Sequence, residues 1–326
     1  MNRVKIGVLG AGNIAGVVSR TLSAMEEVQC WAVASRSLEK SQAFAAEHGF
    51  QKAYGSYEEL VSDPEVELVY VATPHAFHYE HMMLAMEHGK PVICEKSFAI
   101  NAKLAAKIRD YSRETGIFAA EAIWTRYMPS RQMLLDVMAS GIVGKITNLT
   151  ANLSYHNAFK PRIKDPALAG GALLDLGVYG LNFALMAFGN DLERMESSVQ
   201  LMPTGVDGME SISLFWKDGR MAVLNHSTYC RSDRQGVLHG ENGYIVVSNI
   251  NNPQRIEVYD TQDRLLARYD VPQQISGYEY EFREAVRCIR EGKTESESMP
   301  LDETVFVLKI MDSLRRQWGV VFPQER

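Results

Sequence analysis

The sequence predicts an α/β protein of two domains: an amino-terminal doubly wound parallel sheet and a carboxy-terminal α+β domain with a largely antiparallel open sheet. Up to about residue 122, short apolar runs alternate with helical patterns, which is typical of β-α-β units. Beyond that point, turns such as Asp218-Gly219 join strands of alternating polarity, which indicates hairpins. The predicted domains are therefore residues 1–122 and 123–326.

The composition excludes several classes of protein. A chain of 326 residues can build two cores, and a net charge of −6 offers no basic surface to nucleic acid. No run reaches membrane-spanning length and the chain enters a strand at once, so we expect neither a signal peptide nor a membrane partner. Four scattered cysteines without a CxxC pair indicate free thiols in a reducing cytoplasm.

The first strand leads into a glycine turn. The apolar run Val4–Leu9 is followed by G-x-G-x-x-A and then by a helical pattern, which is the order that gives this motif its meaning. Gly10 permits the tight turn, Gly12 lets the backbone approach a pyrophosphate, and Ala15 keeps helix and strand close. The pattern predicts a Rossmann-type dinucleotide site; the alternative is a plain tight turn. The residues predicted to contact the cofactor here are Gly10, Gly12, Asn13 and Ile14.

The second strand, Val28–Ala34, ends in a cation flanked by two hydroxyls. An NAD site usually places an acidic residue here for the ribose hydroxyls, whereas this chain has Ser35, Arg36 and Ser37. A guanidinium can pair with a 2′-phosphate through its planar fork, and the serines can donate to it. We therefore expect NADP in preference to NAD. The alternative is that Arg36 is a solvated surface residue.

Two further strand ends complete the parallel sheet. The strand at residues 68–72 ends at Thr73-Pro74 and that at 91–94 at Glu95-Lys96, both at the carboxyl edge where open sheets bind ligands. His78 opens the next helix and is predicted to face the cofactor. The nearby histidines lack a cluster of carboxylates or cysteines, so no metal is predicted. Other helices of this domain are predicted at Leu38–His48, 57–62, 77–88 and Ala102–Thr115, and the last strand at 117–120.

The second domain begins with a helix at 127–138 and a long strand at 146–155. Tyr155 ends the strand and His156 and Phe159 follow it. With Trp124 they are predicted to line the substrate pocket, because their aromatic faces suit a sugar or an aromatic diol; the alternative is sheet packing. Two late helices carry apolar faces, at about 278–289 and 305–314. A sheet face left open is typical of a dimer surface, so we expect a homodimer or homotetramer.

The central helix is predicted from residue 170 to Phe188. Asp175 and Tyr179 are four residues apart and share one face, about 6 Å apart along the axis. An acid and a phenol among leucines need a reason to be there. The first interpretation is a satisfied buried hydrogen bond; the second is a catalytic pair.

These motifs together resemble the glucose–fructose oxidoreductase/inositol dehydrogenase (Gfo/Idh/MocA) family over almost the whole length, and most of all its dihydrodiol and NADP-dependent sugar dehydrogenase branch. The matching segments are the glycine turn at 10–15, Ala-Thr-Pro at 72–74 with His78, Glu-Lys-Ser at 95–97, the segment from Glu121 to Tyr127 with Trp124 and Arg126, and the helix at 170–179. Serine stands at 97 where the family usually has proline.

The resemblance implies an NAD(P)-dependent dehydrogenase or reductase that moves a hydride between nicotinamide and a carbon bearing hydroxyl or carbonyl in a sugar, polyol or cyclic diol. It also implies that Glu95, Lys96, Trp124 and Arg126 lie beside the cofactor. Tyr179 would exchange the proton, Lys96 would favour its phenolate, and Asp175 would hold the lysine or a substrate hydroxyl. Lys96 as the immediate proton donor remains the alternative.

A competing class is a regulator that kept the fold and lost catalysis. Loss of the lysine or the tyrosine would mark it, and this chain has both. A glycosidase that stores a hydride on NAD is a further alternative, but its usual sequence features are not evident.

Overall fold

The computed structural model describes residues 3–326, and the chain forms two compact units. One unit joins the chain up to Tyr127 with Gln274–Lys309, and the other joins Met128–Gln273 with Ile310–Arg326. The predicted fold class is confirmed, with a parallel six-stranded sheet in the first unit and a mostly antiparallel eight-stranded sheet in the second. The return of the chain to the first unit after Gln274 was not part of the prediction.

The first sheet has the order β3-β2-β1-β4-β5-β6, and all its paired strands are parallel. The strands are β1 Val4–Leu9, β2 Val28–Ala34, β3 Lys52–Tyr54, β4 Leu68–Val71, β5 Val92–Glu95 and β6 Ala119–Ala122. The helices between them are α1 Asn13–Ser23, α2 Leu38–His48, α3 Tyr57–Val61, α4 His78–Glu87 and α5 Ala102–Thr115. The chain order reverses between β1 and β4, which in such sheets opens a crevice at the carboxyl ends of the strands.

The second sheet has the order β14-β13-β12-β11-β7-β10-β9-β8, in which only the pair β7–β10 is parallel among the described strands. Its strands are β7 Ile146–Ser154, β8 Leu192–Leu201, β9 Asp207–Trp216, β10 Met221–Ser227, β11 Gly236–Gly240, β12 Gly243–Val247, β13 Arg255–Asp260 and β14 Leu265–Asp270. The helices that follow β6 are α6 Pro129–Ala139, α7 Pro161–Lys164, α8 Val178–Phe188, α9 Glu279–Arg290 and α10 Leu301–Trp318.

Helix α9 completes the core of the first unit. Phe282, Ala285 and Val286 are buried in the same cluster as Ile6 and Tyr70 of the parallel sheet. Their spacing of three and one residues places them on one helix face, and burying that face removes apolar surface from water. This packing explains why a segment so late in the chain belongs to the first unit.

Some boundaries differ from the prediction. The last parallel strand is Ala119–Ala122 rather than 117–120, and α6 begins at Pro129, where the fixed φ of proline suits a first helical position. The strands β3, β8 and β14 were not predicted. β3 has three residues, and β8 and β14 are largely exposed, so none of them carries a strong apolar signal.

One buried helix corrects the expectation that no stretch reaches membrane-spanning length. Within residues 3–326, the helical segment Pro166–Phe188 has the length and apolar character of a membrane span. However, 89% of its most apolar stretch is buried inside the protein, as in a core helix.

Candidate active site

The glycine turn has the geometry of a phosphate site. Gly10 has a φ of +108°, and a Cβ there would lie 2.8 Å from the carbonyl oxygen of Ala72, so only glycine fits. A Cβ on Gly12 would meet no atom within 4 Å, which leaves that side of the turn open to an approaching group. In the described chain no side chain caps the first turn of α1, where the backbone N–H groups of Asn13 and Ile14 lie. Such a helix start favours an anion.

The end of β2 divides its polar groups between structure and surface. Ser35 is buried, and its hydroxyl donates to the carbonyl oxygen of Ser37 at 2.8 Å and accepts from Ser41. The Ser37 hydroxyl accepts from the backbone N–H of Lys40 and thus caps α2. Arg36 is exposed. The two hydroxyls therefore build the turn, and their predicted contact with a phosphate stays a prediction.

Three side chains that the sequence analysis did not select lie near Arg36. Lys40 is exposed in the first turn of α2. It lies four residues after Arg36, and this short distance in the sequence could have identified it as a second cation for the cofactor. His81 and Tyr57 pack edge to face with ring centroids 4.4 Å apart, and His81 Nδ1 lies 2.9 Å from the hydroxyl of Thr73. Burial, and then the charge of Arg36, lowers the pKa of His81 to about 4, so this ring is neutral near pH 7.

Two histidines hold the loop that contains Lys96. His78 is fully buried; its Nε2 lies 2.7 Å from the carbonyl oxygen of Thr73 and its Nδ1 lies 2.8 Å from that of Ser97. His75 Nε2 lies 3.1 Å from the carbonyl oxygen of Lys96, and the peptide bond Lys96–Ser97 is cis. Two carbonyl partners favour a charged His78 ring, but burial is the larger effect and lowers its pKa to about 4. His78 thus joins two strand ends, and its predicted contact with the cofactor stays a prediction.

Buried acids support the same loop. Glu121 accepts from the backbone N–H of Phe98 and from the hydroxyl of Thr304, both at 3.1 Å, and burial raises its pKa to about 7. The Glu95 carboxylate accepts a hydrogen bond from the fully buried hydroxyl of Tyr70. Glu95 is therefore turned towards the core, and its role beside the cofactor is not tested.

Trp124 and Arg126 both make contacts with other side chains of the first unit. The Trp124 ring stacks on Tyr278 with centroids 4.1 Å apart and planes inclined by 9°. Arg126 is buried and pairs with the carboxylate of Glu303. Their predicted place beside the cofactor stays a prediction, as does that of Pro74, which is exposed after β4.

The central helix carries the acid and the phenol. It begins with a π-helical turn, Leu173–Gly177, that continues into α8, and Asp175 and Tyr179 are both buried on it. Asp175 accepts from Arg162 Nη1 at 2.7 Å and from Asn157 Nδ2 at 3.3 Å. Arg162 and Asn157 were not among the predicted site residues, because no regular spacing in the sequence relates them to Asp175. π-Helical turns are often found at functional sites.

The aromatic residues after β7 are placed differently from one another. The Tyr155 hydroxyl is bonded by Arg234 and Asn251, at 3.4 and 3.2 Å, so it is held within its own unit. His156 and Phe159 have ring centroids 5.9 Å apart, and Phe159 is 64% exposed. Phe159 thus remains available to a ligand, and the substrate role of all three residues stays a prediction.

The three predicted catalytic residues belong to different units. Lys96 lies in the first unit, and Asp175 and Tyr179 lie on one helix of the second. Their joint action therefore stays a prediction. Across residues 3–326, no group of three or more histidine, cysteine, aspartate and glutamate side chains is arranged to hold a metal ion.

Family models match most of the chain. The model described as "Oxidoreductase family, NAD-binding Rossmann fold" (GFO_IDH_MocA) matches residues 4–121, and the GFO/IDH/MocA C-terminal domain matches residues 132–246. Each match falls mainly on one of the two units.

Curated relatives match the full length. The chain is 34% identical over 332 residues to a trans-1,2-dihydrobenzene-1,2-diol dehydrogenase of Danio rerio, with 98% of each chain covered. It is 31% identical over 331 residues to the scyllo-inositol 2-dehydrogenase (NADP(+)) IolU of Bacillus subtilis, with 99% of each covered. Among solved structures, the 3-ketoreductase KijD10 of Actinomadura kijaniata with NADP and TDP-benzene has a TM-score of 0.89 at 22% identity, covering 97% of this chain and 98% of that one, which shows a shared fold.

Proposed function

The chain belongs to the GFO/IDH/MocA family of NAD(P)-dependent oxidoreductases, and we propose that it oxidises a trans-1,2-diol on a six-membered carbon ring with NADP. The family resemblance and the assignment to dehydrogenases acting on CH–OH groups are confirmed. The nature of the diol, the preference for NADP and the residues that act are our proposal.

The substrate class follows from what two relatives have in common. One is named for trans-1,2-dihydrobenzene-1,2-diol and the other for scyllo-inositol, at 32–34% and 31% identity respectively. Both compounds are six-membered carbon rings, and in both the neighbouring hydroxyls are trans. A site that places one ring hydroxyl for oxidation and binds its trans neighbour would accept either compound.

The observation that carries the proposal is the buried pair of Asp175 and Tyr179 on one helix. A carboxylate accepts hydrogen bonds from hydroxyls, and Arg162 and Asn157 already hold the Asp175 carboxylate by donating to it. The phenol can receive a proton through its oxygen. Two neighbouring polar groups on one helix thus suit two neighbouring hydroxyls on one ring.

The residues of the first unit fit a dinucleotide. The open side of Gly12, the uncapped start of α1 in the described chain and the exposed Arg36 provide an amide site for a pyrophosphate and a cation for a 2′-phosphate. Lys40 adds a second exposed cation. When bound, the cofactor supplies the hydride acceptor. These features support NADP over NAD.

We assign the proton chemistry to Tyr179. The hydroxyl oxygen of the substrate must lose a proton as the hydride leaves its carbon, and a positioned base lowers that barrier. Free tyrosine titrates near pH 10, about three units too high for an effective base at neutral pH, so the phenolate needs a nearby positive charge. The family resemblance gives that role to Lys96. Arg162 Nη1 lies 2.7 Å from Asp175 Oδ1, so the guanidinium holds the carboxylate in place.

The open face of the second sheet supports an assembly. Across the central strands, Val223, Val237 and Val246 stand in one row with Thr150 between the first two, and all are half-exposed. An apolar row on a solvent-facing sheet is typical of a protein interface. We propose a homodimer through this face, or a tetramer built from such dimers. The cytoplasmic location predicted from the scattered cysteines stays a prediction.

A matched pair of substrates tests the function. We expect reduction of NADP, followed by absorbance, with trans-cyclohexane-1,2-diol or scyllo-inositol, and at least tenfold less with cis-cyclohexane-1,2-diol. Each substrate is repeated with NAD. Equal rates with the cis and trans diols would contradict the stereochemical proposal. Turnover only with open-chain polyols or aldoses would contradict the ring requirement.

A further inference from the structure

Three polar side chains are buried under the helix that carries Asp175 and Tyr179. They are Asp207 and Glu210 on β9 and His226 on β10, and each is at most 1% exposed. Glu210 stands directly opposite His226 in the strand pair, and His226 Nδ1 lies 3.2 Å from Glu210 Oε1. Burying three ionisable groups costs free energy. Their presence here therefore suggests that they have a specific role.

Three glycines bring the backbone close to this cluster: Gly171 just before the helix, and Gly177 and Gly180 within it. A Cβ at Gly171, Gly177 or Gly180 would lie closer than 3.0 Å to a polar atom of the cluster, a distance that real Cβ atoms essentially never show. The atoms concerned are Asp207 Oδ1 for the first glycine, Glu210 Oε1 for the second and His226 Nε2 for the third. Each of the three polar side chains is therefore contacted by a different glycine, and the backbone at these glycines packs directly against the cluster.

Asp207 also bonds the start of the helix. The backbone N–H of Leu173, the first residue of the π-helical turn, donates to Asp207 Oδ2 at 2.5 Å. The first N–H groups of a helix lack partners within it, and an acidic acceptor there is favourable. Here the acceptor comes from a strand rather than from the preceding residue. The first turn, with Asp175 in it, is thus attached to the sheet.

We infer that Asp207, Glu210 and His226 are positioning residues for the acid and the phenol. Asp207 fixes the start of the turn, and the other two hold the helix at the distance that its glycines allow. The turn contains Asp175 and leads directly into the helix that carries Tyr179. This matters for rate because a displacement of about 1 Å can lower turnover by about 10²-fold. The effect on turnover rests on the proposed function, whereas the effect on the helix does not.

The first test is Asp207→Asn, which keeps the size of the side chain and weakens the acceptor. We expect faster hydrogen exchange in a peptide spanning residues 172–179, a kcat lower by about tenfold and unchanged affinity for NADPH measured by fluorescence. Asp260→Asn is the matched control. Asp260, the last residue of β13, is also buried, and its carboxylate accepts from the backbone N–H groups of Gln262 and Arg264. The control should leave both exchange at 172–179 and kcat as in wild type.

The second test uses the contact of Gly180 with His226. Gly180→Ala should lower kcat by about tenfold or more, because the new methyl group pushes against the imidazole. His226→Ala alone should also lower kcat, because the helix loses the ring that supports it. In the double variant the new methyl group faces the space that the ring leaves, so we expect it to be more active than either single variant, with NADPH affinity unchanged throughout.

Wild-type exchange at 172–179 in folded Asp207→Asn would overturn the inference, and so would a double variant no more active than Gly180→Ala. If wild type oxidises none of the diols, the proposed function fails, and the exchange measurements alone decide the positioning role.

Discussion

At the residue scale, neighbouring polar side chains can have different roles. Ser35 and Arg36 are adjacent, yet the first is buried in its turn and the second is exposed. The sequence could predict that a polar cluster follows β2, but not which member faces solvent. That choice depends on the serine accepting from Ser41 across the first turn of α2.

The first prediction concerns the cofactor. Arg36→Ala should weaken NADP binding by about 1–3 kcal/mol, the range of a hydrogen bond to a charged group, and should leave NAD binding nearly unchanged. Both affinities are measured by titration, with Arg20→Ala, another exposed arginine of the first unit, as the control. Equal losses for both cofactors would show that Arg36 does not contact the 2′-phosphate.

The second prediction concerns the proton. Tyr179→Phe removes one hydroxyl while the buried ring still packs, so we expect the fold and NADP affinity to be kept and turnover to fall by about 10²–10⁴. Lys96→Met should lower turnover further, since it removes a charge that favours phenolate. Tyr111→Phe on α5 is the control. If Tyr179→Phe turned over at the wild-type rate with hydride transfer rate-limiting, the proton would belong to Lys96.

At the element scale, strong apolar patterns gave correct elements and weak ones did not. The predicted bounds of β1, β2, α2 and α5 are those of the structure, because each has a clear apolar period or a cap such as Ser37 or Asn101. The π-helical turn at Leu173–Gly177 was not predicted, since an all-apolar run has the same pattern in a π- or an α-helix. Its position depends on contacts with β9 and β10, which lie over 30 residues later in the sequence.

The third prediction concerns the short edge strand β3. Besides its backbone pairing with β2, its side chains are linked to β2 through the carboxylate of Asp63. Asp63 accepts from Trp31 on β2 and from Lys52 and Tyr54 on β3, each at 3.0 Å. Burial by itself would raise the pKa of Asp63. The hydrogen bonds outweigh burial, with that from the backbone N–H of Glu65 the strongest, and lower the pKa from 3.8 to about 2. A lowered pKa stabilises the fold above about pH 4, and this stabilisation is lost as the pH falls towards 2. Asp63→Asn should therefore cost about 1–2 kcal/mol at pH 7 and much less at pH 2.

Thermal or urea unfolding of both proteins at pH 7 and near pH 2 checks this. A difference between wild type and Asp63→Asn that stays constant with pH would show that lost packing, rather than the charge, is responsible. Asp136→Asn is a suitable control, because Asp136 is an exposed acid on α6 in the other unit.

At the scale of the whole molecule, the sequence correctly indicated two architectures, but not which segments build each unit. The helix at about 278–289 was predicted to have an apolar face. However, a helical period does not show which part of the molecule that face packs against, here the core of the first unit. The same limit applies to the predicted catalytic residues. Lys96 lies in one unit and Tyr179 in the other, so the family resemblance, rather than local spacing, relates them.

The open sheet face gives the last prediction, which concerns assembly. Val223 lies on β10 at one end of the half-exposed row that continues through Thr150 and Val237 to Val246. We expect wild type to sediment as a dimer or tetramer at micromolar concentration, and Val223→Glu to shift it towards monomer because an unpaired charge in an apolar interface is costly. Val321→Glu is the matched control, since Val321 is 48% exposed and does not lie on this sheet. A monomeric wild type, or a Val223→Glu variant that sediments as wild type does, would show that this face is not the interface.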